Sequence, residues 1–403
     1  LTGGTGRRSL HLAALLQQAN IPFLLTSRRG PSASSLPTVK FDWNDETTWI
    51  NAFTHQFPKS EKITAVYLLS GELAEPAPLL NKFIDLAHNE YGVKRFVLCS
   101  GSTAEIGGPY HGKIWQKLHD EKLEYCVLRP SWFMGMPLLL LSTPCPSFPQ
   151  CKESYKLRDH CNAENFSSPG QGHFETIKYK NTIFSACADG KIPFISAEDI
   201  ARVAFHALTD ATPHNRSYRI LGPELLTYDQ EASFPSFPAL QSNPTALNVW
   251  DVLHTNSSPP QQIAEILSTH LSKKITHVKL SPEQRIQGLN DVGLPSHMSS
   301  FLTNLEIMAA EGKEAWEGND VQLVTGKKPM SFDAFVQKNK QVWVSDDYEE
   351  TGVDDKVENG GRENYLLLHL LEKAEITDYL TNEKEYKRIA MPGVVYSTTR
   401  KKL

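Results

Sequence analysis

Thr2-Gly3-Gly4-Thr5-Gly6-Arg7-Arg8-Ser9 runs directly into His11-Leu12-Ala13-Ala14-Leu15-Leu16, whose apolar residues recur at helical spacing up to about Asn20. A short glycine loop that opens a helix brings free backbone N–H groups and the positive end of the helix dipole to one point. A pyrophosphate fits there. The spacing is Gly3-x-x-Gly6-x-x-Ser9, with a small serine where many dinucleotide loops place a third glycine for close helix–strand packing. Gly3, Gly4, Thr5, Gly6 and Arg7 are therefore candidate phosphate-binding positions. Taken alone, the segment also suits a loop that merely caps a helix.

The sequence that follows favours the dinucleotide reading. Pro22-Phe23-Leu24-Leu25-Thr26 reads as a buried parallel strand and ends in Ser27-Arg28-Arg29. At the end of the second strand an acidic side chain binds the ribose 2′-OH of NAD, whereas arginine suits a 2′-phosphate. Two arginines and no acid stand here, so NADP(H) is the expected cofactor, with Ser27 and Arg28 at its 2′-phosphate. A solvated basic turn is the alternative.

The alternation then repeats. Val39–Trp43 reads as a third strand followed by a helical Glu46–Phe53, and Ile63–Leu69 as a fourth, followed by a helix from Ala77 to Glu90. Val93–Cys99 is a fifth strand, Lys113–Glu121 a helix and Tyr125–Leu128 a sixth strand. Six strands alternating with helices predict an α/β fold, a Rossmann-like doubly wound parallel sheet with its ligand at the strand C-terminal ends. Asp42 and Trp43 then meet the adenine, and Leu69, Ser70 and Ser100 flank the nicotinamide side.

Composition sets outer limits. The 403 residues are 40% hydrophobic and 22% charged, with 41 basic against 46 acidic side chains and a formal charge of −5. No Lys/Arg-rich stripe points to nucleic acid or an anionic membrane, and no apolar run approaches the roughly 20 residues of a membrane span. The chain opens at Leu1 without Met and falls at once into the glycine loop. The expectation is an intracellular, cytoplasmic protein with no signal peptide, incomplete at its N-terminus and lacking a whole first strand. Six cysteines are too few for a disulfide framework; Cys99 and Cys126 lie in apolar runs as buried thiols. Cys145, Cys151, His160 and Cys161 lack CxxC spacing, so no metal is expected.

By Arg129-Pro130-Ser131-Trp132-Phe133-Met134 the succession GGTG, VKFDWND, ITAVYLLS, FIDLA with GVKRFVLCS, and RPSWFM resembles one family. It is similar to the NmrA-like atypical short-chain dehydrogenases and, within them, to the fungal ergot-alkaloid festuclavine or agroclavine dehydrogenases. The resemblance covers about residues 1–134, 164–230 and 263–343. It implies NADPH-dependent reduction of a tetracyclic ergoline iminium in clavine alkaloid biosynthesis, with an upstream pathway enzyme or a thiol supplying that iminium. A different class, an NADP-sensing regulator that binds a protein partner without turnover, is the alternative, as is a pseudoenzyme with a disrupted pocket.

Members of the family run WFM straight into ENFS. Here Gly135–Ala163 separates Met134 from Glu164-Asn165-Phe166-Ser167, and Ala232–Gln262 separates two halves of what reads as one helix. Both stretches lack a steady period, and structureless loops of such length are uncommon in compact domains. Gly-Met-Pro can be encoded with a GTATG intron start and Ala-Glu with a CAG end, so both segments read as introns translated in frame; two surface loops are the alternative. The expected organisation is an NAD(P)-binding domain over 1–230 with the irregular 135–163, an irregular 231–262, a mostly helical substrate lobe over 263–344 and a poorly ordered extension over 345–403. Without the surplus stretches roughly 280 residues remain, the size of one reductase with a small lobe.

Short-chain dehydrogenases commonly use a Tyr-x-x-x-Lys pair, the tyrosine protonating the carbonyl oxygen as hydride arrives. Tyr110-His111-Gly112-Lys113 has one residue too few, yet three apart on a helix is one face, so Tyr110 and Lys113 are the catalytic candidates. A weak acid site agrees with the implied reaction, because an iminium carbon is already electrophilic and hydride neutralises its charge. Such catalysis is by positioning. Trp132, Phe133 and Phe166 are candidate aromatic walls for an indole-containing cation, each equally suited to the core. Ser196 with Asp199 three residues on reads as a helix cap, structural rather than chemical.

Overall fold

The computed structural model describes residues 1–344 apart from 60, 72, 74, 135–172, 230–261, 293 and 295. The stretch 135–163, nearly all of 231–262, the extension 345–403 and Phe166 thus lie outside the described residues.

Helix α1 (Arg7–Gln18) follows the glycine loop, and β1 (Leu25–Ser27), β2 (Thr38–Lys40) and a short helix α2 (Asn51–Thr54) come next. Strand β3 (Ala65–Leu68) leads to α3 (Pro76–Asp85), which continues as one π-helical turn over Leu86–Glu90. Strand β4 (Arg95–Cys99), helix α4 (His111–Asp120) and strand β5 (Glu124–Pro130) complete the alternation legible in the sequence. Helix α5 (Phe174–Lys180) and strand β6 (Thr182–Ser185) precede α6 (Ala197–Thr209) and β7 (Arg216–Ile220).

Among the described residues the strands pair in parallel: β1 with β2, and β3, β4, β5 and β7 in that order. Leu1 and Thr2 lie between the two groups. The Leu1 amine donates to Leu24 O at 2.7 Å and Thr26 N to Leu1 O at 3.2 Å, while Thr2 N donates to Tyr67 O at 3.0 Å on the other side. Across the sheet the order is therefore β2, β1, Leu1–Thr2, β3, β4, β5, β7, a Rossmann-like arrangement in which the chain's first two residues occupy the central place.

Period-two alternation sorts the central strands onto two faces. Tyr67, Val97, Cys99, Cys126 and Leu128 pack with Leu12 and Leu16 of α1 and Ile200, Val203 and Ala204 of α6. Val66, Leu68, Phe96, Leu98 and Val127 pack on the other face with Leu80, Phe83 and Ile84 of α3 and Ile114 and Leu118 of α4. Cys99 and Cys126 are buried free thiols.

The lobe begins with α7 (Ile263–Leu271), whose N-cap is Gln262, and includes β8 (Thr276–Lys279), α8 (Pro282–Asp291), α9 (Ser296–Ala310), α10 (Asp320–Thr325), α11 (Phe332–Asn339) and α12 (Gln341–Val344). It is mostly helical, with one addition that the sequence did not announce: β8 pairs parallel with β6, Thr276 against Thr182 and Lys279 against Ser185. A third core cluster joins Met134, Ile177, Ile183, Phe194 and Tyr228 to Ile263, Leu267, Phe332 and Phe335.

Ser196 caps α6 as read, its hydroxyl accepting from Asp199 N at 3.0 Å. The buried Asp199 carboxylate does not return to the Ser196 backbone as in a capping box. It accepts from Ser196 Oγ at 2.6 Å and from Met330 N at 2.9 Å, and it pairs with Arg202. One carboxylate thus ties the sheet's helix to the lobe. Ser196→Ala should cost about 1 kcal/mol as a lost cap. Asp199→Ala, which strands Arg202 and Met330 N, should cost about 3 kcal/mol or more, and chemical denaturation of the two variants checks the ranking.

Candidate functional site

The glycine loop is held by its neighbours more than by its own bonds. Gly3 has φ +59°, the left-handed region that glycine enters without penalty. At Gly4 a Cβ would stand 2.6 Å from Leu25 Cβ and 2.7 Å from Thr26 N, so only hydrogen fits against β1. Gly4 N donates to Thr26 O at 2.9 Å and Gly6 N to Gly3 O at 3.0 Å. The Thr2 hydroxyl shares its single hydrogen between the carbonyls of Tyr67 and Leu69, at 3.0 and 3.3 Å, and accepts from Leu69 N at 2.7 Å, and buried Ser9 closes on Thr2 O at 3.3 Å. Ser9 thus does the close packing of the loop's usual third glycine. The α1 ladder starts with Leu10 N on Gly6 O, so the N–H groups of Arg7, Arg8 and Ser9 head the helix.

Ser27 and exposed Arg28 follow at the C-terminal end of β1, where Ser27 Oγ accepts from Arg29 N at 3.3 Å. Asp42 is committed to its own turn: its carboxylate accepts from Asn44 N at 2.9 Å and its carbonyl from Trp49 Nε1 at 2.9 Å. Trp43 donates its indole N–H to Leu69 O at 3.0 Å and stands edge-on to Phe41, Trp49 and Phe83. The Leu69 backbone is thereby gripped from both sides, by Thr2 and by Trp43.

Beyond Leu69, Ser70 Oγ meets His111 Nε2 at 2.8 Å. Burial, and after it the charge of Arg8, pushes the His111 imidazole down to about 4. Arg8 reaches from α1 to Cys99 Sγ at 3.3 Å and lies 5.1 Å over the Phe133 ring. Such a cation–π contact contributes roughly 0.5–2 kcal/mol. The buried Ser100 Oγ has no hydrogen-bond partner among the described residues. Thus Ser70, His111, Arg8, Ser100 and Phe133 gather at the ends of β3, β4 and β5, where ligands of open α/β sheets sit.

Tyr110 and Lys113 are placed differently. Tyr110 precedes α4 at φ +54° and is 52% exposed, and Lys113 is exposed within the helix, so the shared helix face does not hold for this pair. His111 between them is the residue that turns to the strand ends. Trp132 and Phe133 part company: Trp132 packs on the lobe core, 6.4 Å from Phe194, whereas Phe133 packs on the sheet. His111 and Arg8 carried no role in the sequence reading. The signal available for Arg8 was its place in the first turn of α1, and for His111 its place at the start of α4.

Loop and strand ends together define a Rossmann-like α/β protein of the NAD(P)-binding reductase kind. No protein-family model matches the chain. Agroclavine dehydrogenase of Claviceps fusiformis is 35% identical over 348 residues, spanning 86% of this chain and 99% of that protein. Festuclavine dehydrogenase of Aspergillus fumigatus is 34% identical over 346 residues, 85% of this chain and 97% of that one. Among solved structures, the NADPH-dependent quinone oxidoreductase of Escherichia coli in complex with NADPH has the same fold, with TM-score 0.56, 18% identity and coverage of 84% of this chain and 98% of that one. The chain belongs to the agroclavine and festuclavine dehydrogenase family.

The lowered His111 has a stability consequence. Between pH 6.5 and about 4 the unfolded chain takes up a proton that the native imidazole refuses, so stability falls as pH drops through that window, by about 3 kcal/mol at most. His111→Gln should flatten this part of the pH–stability curve, as measured by urea unfolding from pH 4 to 7.

Proposed function

We propose that the chain is an NADPH-dependent reductase of a tetracyclic ergoline iminium in clavine alkaloid biosynthesis, giving festuclavine- or agroclavine-type products. The observation that carries the reading is the Gly4 contact, a loop pressed so close to β1 that no side chain fits, with three helix N–H groups beyond it. That cradle and the partnerless buried hydroxyl of Ser100 suit a dinucleotide. Gly3 to Gly6 and the first turn of α1 would hold its pyrophosphate, Ser27 and Arg28 its 2′-phosphate, and Trp43, Leu69, Ser70 and Ser100 its remaining edge. NADPH supplies the hydride when bound.

For the chain's own residues the task is then positioning. Tyr110 is turned to solvent and His111 is neutral at physiological pH, which fits a substrate that needs no proton from the enzyme. Phe133, backed by Arg8, offers an aromatic wall at the end of β5. We place the protein in the cytoplasm, taking its iminium from an upstream enzyme or a thiol-assisted step; among the described residues no helix is long and apolar enough to cross a membrane.

Recombinant protein should oxidise NADPH when supplied with the iminium formed from chanoclavine-I aldehyde, followed by absorbance and product analysis. A folded, NADPH-binding sample without turnover would favour the regulatory alternative. Arg28→Asp should weaken NADPH by about tenfold or more relative to NADH, read as the ratio of the two dissociation constants.

A further inference from the structure

Glu314, in the loop between α9 and α10, lies outside the glycine loop and the Ser70–His111 pair. It is 2% exposed and accepts from Ser102 Oγ at 2.8 Å. Ser102 stands three residues past the end of β4, and its carbonyl is fixed by Arg129 Nη2 of β5 at 3.0 Å. The lobe thus sends a carboxylate to the loop at the C-terminal end of β4, which also carries Ser100.

The basic side chains around it are engaged elsewhere. Arg129 pairs with Glu105 at 2.7 Å and lies 5.6 Å from the Trp115 ring centre. Arg219 of β7 lies 3.6 Å over the Trp316 ring and 3.7 Å from Glu105. Among the described residues Glu314 has a single neutral hydroxyl as its hydrogen-bond donor and no ion pair. A carboxylate kept from water on those terms is costly unless it takes up a proton or a cation comes to it. Burial accordingly pushes the Glu314 carboxyl up, with Ser102 and Arg219 opposing. Perturbed, under-partnered acids of this kind gather at functional sites.

We propose that Glu314 is the anionic anchor of the substrate site, pairing with the positively charged nitrogen of a polycyclic iminium or ammonium ligand held between the lobe and the ends of β4 and β5. This rests on the reductase reading for its choice of ligand, though the anchor requires only that the ligand be a cation. Glu314 is a binding residue here, and it sets specificity for charge.

The test is calorimetric binding of a protonated tetracyclic clavine amine to the full chain with NADP⁺ present. Glu314→Gln keeps an acceptor for Ser102 and removes the charge, so a merely structural role would leave binding unchanged. The expected result is about tenfold weaker binding of the amine, with NADP⁺ affinity unaltered. Equal amine affinity in the two proteins overturns the proposal. Should the variant not fold, the wild type decides: an uncharged amide of the same ring system must bind about tenfold or more weaker than the amine, and equal binding overturns it. Wild type that binds the amine through Glu314 yet reduces no iminium would overturn the reductase reading and leave the anchor standing.

Discussion

The Thr2 hydroxyl makes three bonds at the centre of the sheet, and the position of nearly everything functional follows from them. Leu1 and Thr2 are the stitch between β1 and β3, without which the strands form two separate sheets. A hydrogen bond is worth only about 1 kcal/mol net, and two of these three share one hydrogen, yet they lie in a buried place where leaving a group unpaired costs more. Once Thr2 is fixed, Gly3 turns through its left-handed conformation, Gly4 presses on β1, and α1 leaves the sheet in the one direction that carries Arg8 over Phe133. The candidate dinucleotide cradle is a consequence of strand pairing as much as of glycine content.

Electrostatics divides the strand ends into two zones. Basic Arg28 lies at the end of β1, and the N–H groups of α1 head the helix, while Arg8 reaches across to Cys99 and Phe133. Near the end of β3 the imidazole of His111 is kept neutral by burial and by Arg8, so positive charge is concentrated on the side suited to phosphates. Past the end of β4, on the side of the lobe, Ser102 meets the buried carboxylate of Glu314.

Much of this was readable in the sequence because it is local. Strand alternation in AVYL, RFVLC and the run through Cys126 and Leu128, the amphipathic helices between them and the Ser196 cap are all written within a few residues. The less legible parts depend on contacts made at long range. Strands β6 and β8 are four residues each and pair across some 90 positions, so neither has enough periodicity to be seen alone. Helical spacing places Tyr110 and Lys113 on one face only if both are in the helix, but the φ of +54° at Tyr110 puts it just before α4, and the next residue, His111, is the one that reaches Ser70. Glu314 sits in a loop with no pattern around it, and its meaning comes from Ser102, 212 residues earlier.

The third core cluster has a further consequence for how such a chain comes off the ribosome. Met134 and Ile177 wait for Phe332 and Phe335 before their hydrophobic surface is covered. The strands up to β5 can pair as soon as they emerge, but the lobe cannot close until almost the whole described chain is out. For the interval between, apolar side chains from Phe194 and Tyr228 are left open to other molecules. Contacts of such sequence separation are slow to form and expose the nascent protein to aggregation. The Asp199 link to Met330 then acts late, as a latch that locks the finished lobe onto a sheet already built.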